Sequence, residues 1–174
     1  KELPKQTVIS LAAFSKKEDA TKIEISSADC SISFNKESGW LEQINYKGIP
    51  LLQSPLLPDF WRPATDNDIG NSQQIRCIIW RTAADKARLD SLRVDSLKNG
   101  LIEVRAYHSL PTVNAHYSTI YQITPDASVI VTVKMIAGQD SFPEMPRFGM
   151  KMLVNKSFNK VTWFGRGPFD NYED

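Results

Sequence analysis

The chain has 174 residues, of which 41% are hydrophobic and 24% are charged, a composition typical of a globular domain. Its formal net charge of +1 gives no electrostatic reason to expect nucleic acid or an anionic membrane as a partner. The two cysteines, Cys30 and Cys77, are too few for a disulfide framework or a zinc pattern, so we expect plain core or near-surface thiols. No apolar run reaches the roughly 20 residues of a membrane-spanning helix. We therefore predict a domain that folds without metal or cofactor.

Short segments in which polar and apolar residues alternate dominate the chain and predict β-strands. The predicted strands are residues 7–11, 22–26, 31–34, 40–46, 49–52, 91–98, 101–110, 117–123, 129–137, 147–154 and 161–164. Tight turns separate several of them, with Gly39 free to take positive φ and Asn99-Gly100 typical of a hairpin. Short strands joined by hairpin turns favour an all-β, antiparallel sandwich.

One segment, residues 71–87, departs from this pattern and predicts a short helix. Ile75, Ile78 and Ile79 are spaced i, i+3, i+4, which is the spacing of one helix face. The same stripe continues through Trp80, Ala83, Ala84 and Ala87. Asn71 or Ser72 could cap its start. Because β-branched isoleucines are poor helix formers, we expect an irregular helix.

The loop from residue 58 to residue 70 holds the densest mixture of aromatic, cationic and acidic side chains. Aromatic rings stack on sugars, and Asp, Asn and Arg bind hydroxyl groups, so this loop could contact a saccharide. Alternatively, Arg62 pairs with Asp66 or Asp68 and closes the loop on itself. A calcium loop of the EF-hand type is excluded, because Gly70 and Cys77 stand where ligands are required. Asp66 and Asp68 are better explained as turn formers than as a catalytic carboxyl pair.

Two further features carry chemically versatile side chains. His108 and His116 lack partners at metal-ligand spacing and are expected to be solvated loop or strand residues. Residues 163–174 form a second aromatic and polar cluster, in which Gly165, Gly167 and Pro168 predict a sharp bend after a strand. A chain rarely ends in so aromatic a segment, so we expect this cluster to lie within a longer fold.

The two clusters together resemble a known family. Residues 60–62, Phe-Trp-Arg, followed by residues 65–70, Thr-Asp-Asn-Asp-Ile-Gly, resemble the opening of the C-terminal domain of the multidomain β-galactosidases of glycoside hydrolase family 2. Residues 163–172, which end in Gly-Arg-Gly-Pro-Phe-Asp-Asn-Tyr, resemble a later segment of that domain, and residues 146–150 precede it at a fitting distance. The resemblance covers roughly residues 23–174.

Two positions depart from the family pattern. Pro63-Ala64 stands where the family usually has Ala-Pro or Pro-Pro, which moves the fixed φ by one residue. Asp170 stands where the family usually has glutamate, so a contact made there is shorter by one methylene.

The resemblance implies a large antiparallel supersandwich, similar to that of galactose mutarotases. Residues 1–20 would then end a preceding segment or linker, and residues 21–174 would form the front part of the domain. The family's catalytic glutamates lie on a separate (β/α)₈ barrel, so this chain is expected to be inactive alone and to have the rest of the enzyme as its partner. The residues available for sugar contact or interdomain packing are Phe60, Trp61, Arg62, Asp66, Asn67, Asp68, Trp163, Arg166, Asn171 and Tyr172.

Three hypotheses remain open from the sequence. The chain is a non-catalytic part of a β-galactosidase that shapes the entrance to the active site, an independent carbohydrate-binding module, or a structural domain that assembles with other chains. Uncovered strand edges and apolar faces would make it prone to self-association. The compartment of the parent stays open.

Overall fold

The computed structural model describes residues 14–96, 100–138 and 142–162. The strands are β1 Ser15–Glu18, β2 Lys22–Ser26, β3 Cys30–Asn35, β4 Leu41–Tyr46, β5 Ile49–Pro50, β6 Leu57–Asp59, β7 Arg88–Ser96, β8 Ile102–Leu110, β9 Ala115–Ile123, β10 Val129–Ala137 and β11 Gly149–Lys151. The helices are α1 Asp66–Gly70, α2 Gln73–Arg76 and the 3-10 helices Ile78–Thr82 and Pro111–Val113. Within these ranges no helix has the length and apolar character to cross a membrane.

The first sheet is an antiparallel meander in the order β1-β2-β3-β4-β5. The turn between β3 and β4 places Gly39 at φ 73°, as predicted, and closes with a hydrogen bond from the Asn35 amide to the Trp40 carbonyl. Strand β1 belongs to this sheet although its residues lie within the segment predicted to precede the domain. Each strand is joined to the next by a short connection, as the alternating sequence pattern indicates.

The second sheet is antiparallel in the order β10-β9-β8-β7, and β6 pairs with β11 in a separate two-stranded sheet. The predicted strands at residues 22–26 and 129–137 have the observed bounds, and most of the others differ by one to three residues. The predicted strand at residues 147–154 is shorter, covering Gly149–Lys151. The predicted strand at residues 7–11, the residue Asn99, and most of the predicted strand at residues 161–164 lie outside the described residues.

The two large sheets pack face to face and enclose the first hydrophobic cluster, here called the sheet cluster. It contains alternate residues of β2 and β3, single residues of and after the next strands, and residues of β8 and β9: Ile23, Ile25, Cys30, Ile32, Phe34, Leu41, Leu52, Ile102, Val104, Tyr121 and Ile123. The ring of Phe34 meets the ring of Tyr121 edge to face, with centroids 5.0 Å apart. Period-two alternation therefore fills the space between the sheets, and the prediction of an all-β antiparallel sandwich is confirmed.

The predicted helical segment is present, but it is broken into short pieces and buries only part of the predicted stripe. Ile75 and Ile78, which were assigned to the apolar stripe, are 70% and 49% exposed. The buried residues are Cys77, Trp80 and Ala83, which recur every three positions. A three-residue period is that of a 3-10 helix, and Ile78–Thr82 adopts this form. The prediction is confirmed for Trp80 and Ala83 and is wrong for the two isoleucines, because it applied the 3.6-residue period across a break at Cys77.

These helical turns cover one end of the second sheet and form the second hydrophobic cluster, here called the loop cluster. Its members are Trp40, Phe60, Cys77, Trp80, Ala83, Leu110, Val113, Ala115 and Tyr117. Strand β9 contributes to both clusters, with Tyr117 in one and Tyr121 in the other. Both cysteines are free, buried thiols, as predicted, and burial raises their pKa.

Candidate functional site: the loop from residue 58 to residue 70

The loop leaves the protein core from strand β6, which is paired with β11. The register places Asp59 opposite Gly149 and Pro58 opposite Met150. Arg147 adds an ion pair to Asp59, at 3.5 Å between Nη1 and Oδ2. Asp59, which directly precedes the Phe-Trp-Arg motif, thus pairs with Gly149 of the second segment that carries the family resemblance, more than 80 positions later in the sequence.

Phe60 anchors the start of the loop in the loop cluster. Its side chain is 1% exposed. The ring meets Trp80 and Tyr117 edge to face, each with centroids 5.9 Å apart, and stacks on Phe148 at 6.2 Å. Trp61 follows and is half-buried against the same cluster. Because Phe60 is surrounded by aromatic rings, it is unavailable for stacking on a sugar and instead fixes the exit direction of the loop.

Arg62 closes the loop by a bidentate ion pair with Asp68. Nη1 lies 2.5 Å from Oδ2 and Nη2 lies 3.0 Å from Oδ1. The same guanidinium donates from Nε to the Pro146 carbonyl at 3.2 Å and from Nη1 to the Pro63 carbonyl at 3.2 Å. The planar fork of arginine matches a carboxylate in this geometry, whereas an ammonium group offers only a point charge. Of the two partners proposed from sequence, Asp68 is the one that Arg62 binds.

Asp68 also caps the first helix. Its Oδ2 accepts hydrogen bonds from the Thr65 amide at 2.8 Å and from the Thr65 hydroxyl at 2.9 Å. The Thr65 hydroxyl accepts in return from the Asp68 amide, which completes a capping box with aspartate in the position usually taken by glutamate or glutamine. The hydrogen bond from Arg62, and then that from the Thr65 amide, lowers the pKa of Asp68 to about 2.

These contacts limit what the loop can do chemically. Asp68 is ionised at neutral pH and surrounded by donors, so it holds no proton to give as a general acid. Asp66 and Asn67 are exposed in the first turn of α1 and stay candidates for contact with a ligand or another domain. Trp163, Arg166, Asn171 and Tyr172, the predicted residues of the second cluster, lie outside the described residues.

A segment that the sequence did not single out for this role, residues 142–148, completes the surroundings of the loop. The indole Nε1 of Trp80 donates to the Pro143 carbonyl at 2.8 Å. Arg76 forms an ion pair with Glu144. With the bond from Arg62 to Pro146, three donors on or beside the helical turns hold this segment in place. No local sequence pattern predicts these contacts, because each of them joins residues more than 60 positions apart.

His108 corrects the prediction that both histidines are solvated. Its side chain is 1% exposed, stacks on Trp40 with ring centroids 3.7 Å apart, and bonds through Nε2 to the Ser38 carbonyl at 2.7 Å. Position 108 is in phase with the buried residues Val104 and Ala106 of β8, a signal that the period-two pattern already contained. Burial lowers the pKa of His108. His116, on the opposite face of β9, is exposed as predicted.

Comparison with known proteins places this architecture in a family. The family described as Beta galactosidase small chain matches residues 26–174. The chain belongs to this family. It is 35% identical to a β-galactosidase of Vibrio cholerae over 99% of its own length, and 34% identical to one of Priestia megaterium over 81%. A β-galactosidase of Clostridium acetobutylicum is 28% identical over 87% of the chain.

The β-galactosidase small-chain domain is only part of these relatives. The chain spans 18% of the length of the Vibrio cholerae protein, 13% of the Priestia megaterium protein and 17% of the Clostridium acetobutylicum protein. The family resemblance drawn from the loop and from residues 163–172 is therefore confirmed.

Proposed function

We propose that this chain is a non-catalytic domain of a larger β-galactosidase that hydrolyses terminal β-D-galactosides. In this role the domain packs on the catalytic barrel and helps shape the entrance to the active site. The observation that supports the proposal most strongly is the hydrogen bonding within the loop at residues 58–70, which bears the family motif. Its arginine and its buried aspartate are bonded to each other and to the neighbouring backbone, which suits a structural joint better than a reacting group.

Exposed apolar side chains next to this loop support packing against another part of the enzyme. One group lies on the helical turns and consists of Ile69, Ile75 and Ile78, which are 56%, 70% and 49% exposed. A second group lies on the segment that follows β11 and consists of Met152, Leu153, Val154, Phe158 and Val161. Exposed apolar residues concentrated on two segments are typical of a surface that another domain covers.

A hydrolysis assay tests the non-catalytic role. The purified chain is incubated with a chromogenic β-galactoside, and a β-galactosidase of the family serves as the positive control. We expect no turnover above the rate without protein, because Asp68 has no proton to donate and its two oxygens are bonded to Arg62 and Thr65. Sustained turnover that co-purifies with the chain and disappears in Asp68→Asn would overturn the proposal.

Sedimentation velocity tests the packing surface. We expect the chain to self-associate at high concentration, because two copies can cover each other's exposed helical turns. Ile75→Lys should shift the distribution towards monomer. The matched control is Ile49→Lys on β5, since Ile49 is 54% exposed but lies in the first sheet. An equal shift in both variants would contradict a surface at the helical turns.

A further inference from the structure

The outer face of the second sheet, opposite the sheet cluster, carries a groove that is lined by no residue of the loop at 58–70. Its volume is about 290 Å³. Six of the side chains that line it are Asp90, Tyr107, His116, Ser118, Lys134 and Ile136. A cleft of this size approaches the lower end of the range found for small-molecule sites.

The strand register explains why these side chains converge. Tyr107, Ser118 and Lys134 form one cross-strand row on β8, β9 and β10. His116 and Ile136 belong to the next row, which begins at Ser109. Neighbouring strands lie about 4.8 Å apart, so three strands present groups across about 10 Å. This span accommodates one or two pyranose rings.

A bulge in β7 brings the carboxylate of Asp90 to the outer face of the second sheet. The register between β7 and β8 shifts between Leu89 and Ser91, so Asp90 has no directly paired residue on β8. Its carboxylate accepts a hydrogen bond from the Ser109 hydroxyl, with both oxygens within 2.8 Å. One hydroxyl proton leaves further lone pairs of the carboxylate open to a ligand. Bulges commonly redirect a side chain beside a site in this way.

The chemistry of the groove selects for a neutral ligand rich in hydroxyl groups. Asp90 only accepts hydrogen bonds and Lys134 only donates them, whereas Ser118 and Tyr107 do both. The charges of Asp90 and Lys134 cancel, which disfavours a simple anion or cation. Tyr107 is 42% exposed and supplies an aromatic surface, and Ile136 is 55% exposed and supplies an apolar one. A sugar ring has an apolar face and hydroxyl groups around its rim, and it meets all of these requirements.

We propose that this groove binds a saccharide on a surface separate from the loop at residues 58–70. Tyr107 packs against the face of the sugar ring. Asp90 accepts from its hydroxyl groups while Lys134 donates to them. The site goes beyond the structural role proposed above, and the chain could bind sugar there without hydrolysing it.

Two-dimensional amide NMR on the chain tests this proposal, with titrations of galactose, glucose and lactose into the high millimolar range. We expect saturable shifts at residues of the groove for at least one sugar. Tyr107→Ala should weaken binding about fivefold to tenfold, since it removes the aromatic contact. Asp90→Asn should weaken it about tenfold by removing a charged acceptor. Thr132→Ala on β10, exposed on the same face, should change affinity by less than about twofold.

Several results would overturn the proposal. One is the absence of saturable shifts with all three sugars while near-UV circular dichroism shows a folded chain. Another is binding that both groove variants retain, which would place the sugar elsewhere, including at the loop. A third is a response to inorganic phosphate but not to the sugars, which would make the groove an anion site. Because Tyr107 and Asp90 are both exposed, their variants are expected to fold.

Discussion

The sheet cluster and the loop cluster are stabilised by different kinds of contact. In the sheet cluster, each sheet presents alternate residues of strands that are paired through single hairpins, and the two faces then pack together, as Phe34 does on Tyr121. In the loop cluster, rings from the loop and the helical turns pack on a strand with which they share no pairing, as Phe60 does on Tyr117. The family motif lies beside the second cluster. Strand periodicity therefore predicts the faces of the two sheets, whereas contacts outside the strand pairing shape the surface beside the family motif.

The largest expected effect comes from emptying the loop cluster. Phe60→Ala should lower the free energy of unfolding by about 3–5 kcal/mol, because it removes a buried ring and leaves a cavity. Phe34→Ala, in the sheet cluster, is the matched control and should cost a similar amount. Because β9 contributes to both clusters, we expect a single transition in urea for each variant. A Phe60→Ala chain that unfolds at the wild-type midpoint would show that the loop cluster does not stabilise the fold.

The difference between local sequence signals and tertiary contacts explains which parts of the structure the sequence predicts. Strands β2 and β10 follow from alternation, and Gly39 follows from turn chemistry, because both signals are local. For the helical turns the prediction was right for Trp80 and wrong for Ile75 and Ile78, since contacts with residues 142 and 143, rather than one continuous helix, set the buried side. The pairing of Arg62 with an aspartate was among the sequence alternatives, but the third partner, the Pro146 carbonyl, depends on tertiary contacts.

Substitution of Gly39 tests the prediction that this glycine is required in the turn between β3 and β4. Gly39→Ala should destabilise the protein by about 2–4 kcal/mol, because the residue has φ 73° and its added Cβ would lie 2.4 Å from Cδ1 of Leu89. Gly48→Ala is the control: φ is 78°, but nothing lies within 4 Å of the added atom. Only backbone strain of about 1–2 kcal/mol is expected there. Equal losses by chemical denaturation would remove the steric part of the explanation.

The pH dependence of stability tests whether His108 is buried in its neutral form. Its pKa is lowered by burial, so the folded chain favours the neutral ring, and stability should fall as pH drops below about 6.5, the ordinary value. No hydrogen-bond partner for Nδ1 is found among the described residues, so protonation would add a buried N–H group without an acceptor. Thermal melts between pH 7 and pH 5 should show this loss in wild type and not in His108→Gln. His116→Gln should keep it, and an unchanged slope in His108→Gln would contradict the assignment.

A smaller and more local effect is expected from Arg62→Lys. Lysine keeps the charge but cannot bind Asp68 through two nitrogens, so the capping box should loosen. Amide hydrogen exchange should accelerate at residues 65–70 and stay unchanged in β2 and β3. Arg147→Lys is the control, because Arg147 contacts Asp59 through a single 3.5 Å pair and is half exposed. Acceleration spread evenly over the chain would argue against a local clamp.

The ionisation of Asp68 tests most directly the claim that the loop is a structural joint. Carbon-detected NMR can follow the side-chain carboxyl of Asp68 as the pH is lowered, with the exposed Asp66 as an internal reference. We expect a pKa of about 2 for Asp68, because Arg62 and Thr65 stabilise the carboxylate. Its contribution to stability is then present above the ordinary value of 3.8 and is lost as the pH falls towards 2. A pKa at or above 3.8 would show that the clamp does not hold in solution.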